Sequence, residues 1–234
     1  MSQEKVEIGQ AVLYRGECLE LLPTLPANSV NAVITDPPYV FGMASVSGLH
    51  YAKGSRFGDL LNHSYFYREF LQSLRGPLTA DSGIWVFFNW RGLPVLMKGV
   101  VEADMHIESL LIWDKQRIGA GGQIGLRPSY EVCALIPRGE FALPNRSLPD
   151  IWRHRWGGIK PHGHPAEKSE TLITELVRET PAETILDPFM GSGTTGVACA
   201  HLGRKFIGME IEPKYFDIAC KRIEEAYGQG RQLA

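Results

Sequence analysis

The feature that most restricts the fold of this sequence is a strand–loop–helix–strand pattern in its last quarter. Residues 185–187 predict a short apolar strand that ends on an acid, and a glycine loop, GSG, follows at 191–193. A helix is predicted from about Thr194 until Gly203 stops it, and residues 206–210 form the next strand. Strands that alternate with helices favour an α/β domain built on a parallel sheet.

This unit offers a site for a nucleoside cofactor where the glycine loop meets the helix. Glu210 comes 19 residues after Gly191, a spacing that suits an acid binding the two hydroxyls of a ribose. The letters GSGTTG also match the fingerprint of dinucleotide-binding domains, which keeps an NAD-dependent oxidoreductase as an alternative. Asp187, however, places a carboxylate near the cofactor, where an ammonium group fits better than a pyrophosphate. S-adenosylmethionine has the ribose and the ammonium group and lacks phosphates, so it is the expected cofactor.

A second pattern, TDPPY at residues 35–39, ends another apolar run. Pro37 and Pro38 fix their φ angles and lack an N–H group, so the loop is stiff and presents carbonyl oxygens without matching donors. The Asp36 carboxylate and the Pro37 carbonyl form a rigid pair of acceptors, and Tyr39 adds a flat ring beside them. A nucleobase with an exocyclic amine, adenine or cytosine, fits such a pair. Taken alone, the pattern equally suits a Pro-Pro turn with a helix-capping acid.

Charge is distributed unevenly along the 234 residues, although the net charge is only −2. Residues 115–168 contain nine Lys or Arg and four Asp or Glu, whereas the remainder contains 15 basic and 22 acidic residues. In the densest stretch, residues 146–165, basic side chains alternate with tryptophans and histidines. Basic groups meet phosphates and aromatic rings meet bases. The alternative is a solvated loop with tryptophans attached to the core.

Other features of the composition exclude several classes of protein. No apolar run is long enough to span a bilayer, and no basic-then-apolar signal begins the chain. The four cysteines are scattered without a C-x-x-C pair, which indicates reduced core residues in a cytoplasmic protein and no zinc site or disulfide framework. His162 and His164 have no nearby cysteine or acid cluster, so no metal is expected.

The two patterns together, TDPPY at 35–39 and DPFMGSGTT at 187–195, resemble the amino-methyltransferases of DNA. Because the acceptor motif comes first and the cofactor motif last, the chain is similar to their β class, a circular permutation of the common methyltransferase fold. The resemblance implies a Rossmann-like class I methyltransferase fold, α/β, with a mixed, mostly parallel seven-stranded sheet and helices on both faces. It also implies one domain, 1–234, with small DNA-recognition insertions near 41–63 and 137–165.

The resemblance further implies methyl transfer from S-adenosylmethionine to the exocyclic amine of a base flipped out of double-stranded DNA. Adenine N6 is favoured over cytosine N4, because enzymes of the cytosine group more often have serine in place of Asp36. Without a large recognition domain, a short or relaxed target sequence is expected. A companion nuclease, as in restriction-modification pairs, and a homodimer both stay open.

The site residues implied by the resemblance fall into three groups. The catalytic group contains Asp36, Pro37, Pro38 and Tyr39. The cofactor-binding group contains Glu17, Cys18, Asp36, Lys168, Asp187, Phe189, Gly191, Ser192, Gly193, Thr194, Thr195, Glu210 and Ile211. The DNA-binding group contains Arg153, Arg155 and Lys160. Two departures are visible: Gly16-Glu17 stands where the family usually has Gly-Asp, and Lys168-Ser169 stands where it has Lys-Pro.

Overall fold

The computed structural model describes residues 4–38, 64–118, 125–156 and 168–232. Within them, one sheet contains the strands β1 (Glu4–Ile8), β2 (Ala11–Arg15), β3 (Val30–Thr35), β4 (Leu78–Phe88), β5 (Ser109–Asp114), β6 (Tyr130–Arg138), β7 (Ile151–Arg153), β8 (Thr184–Asp187) and β9 (Lys205–Glu210). The α-helices are α1 (Cys18–Leu21), α2 (Ser64–Ser73), α3 (Leu93–Glu102), α4 (Glu170–Glu179), α5 (Thr194–His201) and α6 (Pro213–Gln232). Short 3₁₀ turns cover Leu22–Thr24 and Trp90–Gly92.

The strand order is β1-β2-β9-β8-β3-β4-β6-β5-β7. Five of the eight neighbouring pairs in the described sheet are parallel, and β6 lies antiparallel between β4 and β5. The mixed, mostly parallel sheet is therefore confirmed, but the strand count is nine and not seven. The two additional strands lie at the edges: β1 turns back onto β2 through Gly9, whose φ is +58°, and β7 has three residues. Such short edge strands lack an apolar run that a sequence pattern would reveal.

The predicted strands and helices around the two motifs are present with small changes. β3, β8 and β9 end at or beside Asp36, Asp187 and Glu210, as the apolar runs predicted. The helix α5 starts at Thr194. The last helix, α6, passes through Gly228 and Gly230 to Gln232, because each glycine in a helix costs only about 1 kcal/mol.

Both faces of the sheet are covered by helices, as expected. On β4 the side chains alternate, so Trp85 and Phe87 point into one core while Ile84, Val86 and Phe88 point into the other. The first core contains apolar residues of α4, α5 and α6, and the second contains those of α1, α2 and α3. A sheet buried on both sides favours continuous apolar runs, which residues 32–34 of β3 and 83–88 of β4 provide.

The central pair of strands defines a crevice. From β8 the chain passes through α5 to β9 on one side, whereas from β3 it passes through α2 to β4 on the other. Since all four strands are parallel, the carboxyl ends of β8 and β3 lie side by side where the strand order reverses. Ligands of open α/β sheets bind at such a switch point.

Three further expectations concern the molecule as a whole. Cys18, Cys133 and Cys199 are buried, Cys220 is partly buried, and none of the four forms a disulfide. Across residues 4–38, 64–118, 125–156 and 168–232, no group of His, Cys, Asp and Glu could hold a metal ion. Over the same ranges, each helix is too short or too polar to cross a membrane. The predicted insertion 41–63 lies outside the described residues, and the described part of 137–165 supplies the edge strand β7.

Candidate active site

Asp187, at the end of β8, joins three segments at the crevice. Its Oδ1 accepts hydrogen bonds from Thr35 Oγ1 at 2.8 Å and from the Phe189 N–H at 3.1 Å, while Oδ2 accepts from Thr195 Oγ1 at 2.7 Å. The side chain is 4% exposed. Burial raises the pKa of Asp187 to about 6, although the hydrogen bonds from Thr195 and Thr35 act in the opposite direction. The buried carboxylate therefore fixes the end of β3, the glycine loop and the start of α5 relative to one another.

The glycine loop makes its turn with two residues in the left-handed region. Gly191 and Gly193 have φ of +51° and +84°, and the Gly193 N–H donates to the Met190 carbonyl at 2.8 Å. A Cβ at Gly193 would lie 2.9 Å from the Cβ of Ala219 on α6. Glycine is thus required at 193 both by conformation and by space. The turn ends at the N-terminus of α5, where unpaired N–H groups favour a ligand with negative charge.

Glu210, at the end of β9, lies beside this loop. Its Oε2 accepts from the Gly191 N–H at 2.9 Å, and its Oε1 accepts from the Glu212 N–H at 2.8 Å. Burial raises the pKa of Glu210 to about 7. Its backbone carbonyl accepts from the Gly16 N–H at 2.9 Å, which brings the neighbouring Glu17 to the same end of the sheet.

The remaining residues predicted to bind the cofactor differ in how deeply they are buried. Ser192 and Thr194 are buried in the glycine loop and the first turn of α5, and Cys18 is buried at the start of α1. Burial raises the pKa of the Cys18 thiol. The ring of Phe189 packs against Phe66 and Phe70 of α2, whereas Ile211 is exposed immediately after Glu210.

Arg222 of α6 holds the glycine loop by hydrogen bonds. The sequence patterns did not predict this role for Arg222. Its Nη1 donates to the Ser192 carbonyl at 2.7 Å, to Ser192 Oγ at 3.0 Å and to Thr194 Oγ1 at 3.4 Å. Its Nη2 donates to Glu170 Oε1 at 2.6 Å. The residue is 7% exposed. A buried guanidinium that donates to one loop carbonyl and to two nearby hydroxyls fixes the loop before any ligand binds.

The acceptor loop, residues 35–38 in the described chain, leaves the end of β3 next to Asp187. The Asp36 carboxylate forms an ion pair with Lys168, which lies two residues before the start of α4. Lys168 also lies 3.2 Å from Glu131 on β6. The structure thus places Lys168, expected to bind the cofactor, against the predicted catalytic acid. Tyr39 lies outside the described residues.

In the described part of the basic segment, a tryptophan is buried and two arginines are exposed. Trp152 is buried in β7 and its Nε1 donates to the Pro149 carbonyl at 2.9 Å. Arg153 and Arg155 are exposed, and Arg153 lies 3.6 Å from Asp114. The two arginines are accessible to a phosphate backbone, while Lys160 lies outside the described residues.

Similarity to known proteins agrees with this geometry. A family profile described as DNA methylase matches residues 30–221. The curated protein named Putative methylase YubD, from Escherichia coli strain K12, is 28% identical over 221 residues, which cover 92% of each chain. Type II methyltransferase M.HinfI from Haemophilus influenzae is 24% identical over 256 residues, covering 96% of this chain and 71% of its own.

Solved structures share the fold. The M1.HpyAVI–SAM complex superposes with a TM-score of 0.70 and 22% identity, covering 90% of this chain and 98% of its own. The cytosine-N4-specific PvuII DNA methyltransferase gives a TM-score of 0.72 with 18% identity, covering 95% and 93%. The family match runs from β3 into α6 and so includes the acceptor loop, the glycine loop and Glu210. This chain therefore belongs to the DNA methylase family, the amino-methyltransferases that act on adenine N6 or cytosine N4 of DNA.

Proposed function

We propose that this protein transfers the methyl group of S-adenosylmethionine to adenine N6 in double-stranded DNA. The observation that carries the proposal is the hydrogen bond of 2.8 Å from Thr35 Oγ1 to Asp187 Oδ1. It joins Thr35, the residue before Asp36, to Asp187, the acid that precedes the glycine loop, across the central strand pair. The proposed acceptor for the amine and the proposed loop for the nucleoside cofactor are therefore connected by a single hydrogen bond.

The cofactor has partners of the right chemistry along one end of the sheet. Glu210 would bind the ribose hydroxyls, since its carboxylate oxygens retain lone pairs beyond the two N–H groups they accept. Asp187 and the glycine loop would hold the amino acid end, and Glu17 would contact the adenine amine. The M1.HpyAVI structure, which shares this fold, is a complex with the same compound.

Asp36 and Pro37 act on the amine that accepts the methyl group. The lone pair of an exocyclic amine is conjugated with the ring, which makes the nitrogen a poor nucleophile. Hydrogen bonds from its two N–H groups to the Asp36 carboxylate and the Pro37 carbonyl favour a pyramidal nitrogen whose lone pair is free to attack. The cofactor supplies a methyl group on a sulfonium that departs as a neutral thioether. The nitrogen forms its new bond to carbon, and a proton then leaves it to Asp36 or to water.

DNA must release the base before this step, because the amine is inaccessible within the stack. Tyr39 would stack on the flipped base. Arg153 and Arg155 would contact phosphates from their exposed positions beside Trp152, and Lys160 is a third candidate for a phosphate contact. Target reading is assigned to this segment and to residues 41–63.

Cytosine N4 is the second candidate for the methylated group. The fold similarity to the cytosine-N4-specific PvuII enzyme favours it. Asp36 favours adenine, because the cytosine enzymes more often have serine at this position. The oxidoreductase alternative has no comparable support, since the GSGTTG loop lies within the region matched by the DNA methylase family.

The test is to incubate the protein with S-adenosylmethionine carrying a labelled methyl group and double-stranded DNA, then to digest the DNA and identify the labelled nucleoside. We expect N6-methyldeoxyadenosine. Labelled N4-methyldeoxycytidine would establish the alternative, and the absence of label in DNA from a protein that binds the cofactor would refute the proposal.

A further inference from the structure

An ion-pair network extends behind the acceptor loop and joins charged side chains from four separate segments. Lys168 contacts Asp36 Oδ2 and places its Nζ 3.2 Å from Glu131 Oε2. The other oxygen of Glu131, Oε1, lies 2.5 Å from Lys115 Nζ just after β5. Negative and positive groups alternate, so Asp36 is one end of a chain whose formal charges sum to zero.

The network is mostly buried, and Lys168 is its least exposed member. The Lys168 side chain is 8% exposed, and its Nζ lies 5.3 Å from the centre of the Phe87 ring. Burial would lower the pKa of Lys168, but the Asp36 and Glu131 carboxylates raise it above its ordinary value. Burial would likewise raise the pKa of Glu131, but Lys168 and Lys115 lower it. A buried ammonium of this kind is stable only with its carboxylate partners in place.

We propose that Lys168 and Glu131 are positioning residues for methyl transfer: Lys168 orients the Asp36 carboxylate and keeps it ionised, while Glu131, fixed by Lys115, shares the ammonium. The inference rests on the proposed function for its consequence in catalysis. Asp36 must be ionised for both of its oxygens to act as acceptors towards the base amine and Lys168, because protonation converts one of them into a donor. If Lys168 were paired with Asp36 alone, its positive charge would weaken the Asp36 carboxylate more strongly as a hydrogen-bond acceptor. Glu131 reduces this effect because it also attracts the Lys168 ammonium group.

Other groups facing Asp36 make a cation necessary. Asp187 on β8 is a second acid that interacts unfavourably with it. Tyr67 on α2 and Cys133 on β6 also interact with Asp36, and burial raises the pKa of both, which keeps them neutral. With Glu131 included, two further carboxyl groups lie near Asp36, and Lys168 is the cation that contacts Asp36 within the described residues. Removing it would favour a proton on one of the acids.

The experiment measures the ionisation of Asp36 directly. Protein labelled with ¹³C at aspartate carboxyl carbons is titrated by NMR, with the Asp36 signal assigned by its loss in Asp36→Asn. We expect Asp36 to titrate at higher pH in Lys168→Met and at lower pH in Glu131→Gln, because these changes remove a positive and a negative neighbour. Lys168→Arg should restore the wild-type titration, and Lys205→Met, at the far start of β9, is the matched control.

Kinetics of the same variants separate positioning from cofactor binding. For Lys168→Met we expect kcat to fall by about 10²-fold, the scale of losing one preorganised electrostatic partner. The acidic limb of its pH–rate profile should move to higher pH, while the Kd of S-adenosylmethionine measured by calorimetry stays unchanged. A weaker Kd with unchanged kcat would make Lys168 a cofactor ligand and overturn the inference.

The two proposals fail in different ways. An Asp36 titration that is the same in wild type, Lys168→Met and Glu131→Gln overturns the network, whatever the enzyme methylates. Shifted titrations in a protein that does not methylate DNA uphold the network's effect on Asp36 and refute the proposed function. Should Lys168→Met fail to fold, the direction of the shift in Glu131→Gln decides alone.

Discussion

Two acids at neighbouring strand ends have different surroundings, and their behaviour follows from what each one contacts. Asp187 accepts hydrogen bonds from two threonine hydroxyls and one N–H group, all from the scaffold. Glu210 accepts from two backbone N–H groups, one in the glycine loop and one in the segment after β9. At the residue scale, Asp187 therefore fixes the segments of the site relative to one another, and Glu210 is the acid that we propose to bind the ribose of the cofactor.

The raised pKa of Glu210 makes cofactor binding dependent on pH. The fraction of Glu210 that is ionised grows as the pH rises through about 7, and the carboxylate is the better acceptor for ribose hydroxyls. We expect the affinity for S-adenosylmethionine to increase between pH 6 and pH 8 in calorimetry. Glu210→Gln should bind more weakly at pH 8, by about 1.5–3 kcal/mol, and should lose this pH dependence. Glu212→Gln, an exposed neighbour, should behave as wild type; an equal loss there would contradict the assignment.

Asp36 should affect the transfer step and not the binding of the cofactor. Asp36→Ala removes one of two acceptors for the amine, and we expect kcat to fall by roughly 10²–10³-fold, by analogy with the loss of one oxyanion-hole donor. Calorimetry should show S-adenosylmethionine bound with its affinity largely intact. Loss of cofactor binding in this variant would instead make Asp36 a cofactor ligand.

At the element scale, helix α6 holds the glycine loop through one side chain. Arg222 satisfies the carbonyl and hydroxyl of Ser192 and reaches Glu170 at the start of α4. The helix α6 is thus connected to the glycine loop by hydrogen bonds as well as by the close contact between Gly193 and Ala219.

Removing this support should loosen the loop. In Arg222→Met the buried Ser192 carbonyl loses its donor, at a cost of about 1–3 kcal/mol in the free energy of unfolding. We expect weaker binding of S-adenosylmethionine as well, because the loop is no longer fixed. Denaturant titration and calorimetry measure the two effects. Lys221→Met, whose side chain is 77% exposed on the same helix, serves as the control.

The strand β7 and the residues after it should provide affinity for DNA. The double change Arg153→Ala with Arg155→Ala should weaken DNA binding and flatten its salt dependence by about 0.9 in log–log slope for each lost phosphate contact. Lys98→Ala with Lys205→Ala removes two charges elsewhere and should leave the slope unchanged. A changed target sequence with an unchanged slope would show that the arginines read bases. If affinity and slope both stay the same, the segment is a solvated loop.

The elements around the site were predictable because each strand is an apolar run that stops at an acid. β3, β8 and β9 carry that local signal, and glycines with positive φ mark the loop after β8 and the end of α5. Arg222 carried no signal, since one arginine in an amphipathic helix resembles any solvated residue. The pairing of Lys168 with Asp36 joins residues 132 apart in the chain, and no spacing rule indicates it. Local patterns therefore gave the strand ends, and only the fold shows which side chains meet there.

At the scale of the whole molecule, the buried Asp187 makes stability depend on pH. Its pKa is about 6 in the folded protein and ordinarily 3.8, so between these values the unfolded chain releases the proton first. The contribution of protonated Asp187 to the free energy of unfolding is therefore present below about pH 4 and is lost as the pH rises through 6.

Comparison with Asp187→Asn isolates this contribution, because asparagine does not titrate. We expect the free energy of unfolding of the wild type, relative to the variant, to fall by about 2 kcal/mol between pH 4 and pH 6.5. Urea titrations of the cofactor-free proteins at several pH values provide the measurement. A difference that is constant over this range, or that grows with pH, would contradict a raised pKa for Asp187.

The order of strands in the sheet also has a consequence for how the chain folds. β8 and β9 come late in the chain, yet they fill the space between β2 and β3, which come early. Until they are synthesised, β2 and β3 each have an edge without its partner, and unpaired edges promote aggregation. Pairing of such distant segments is slow, because the loop must close before the contacts form. A ribosome-bound chain that lacks β8 and β9 would therefore need protection by a chaperone, and the crevice would form among the last events of folding.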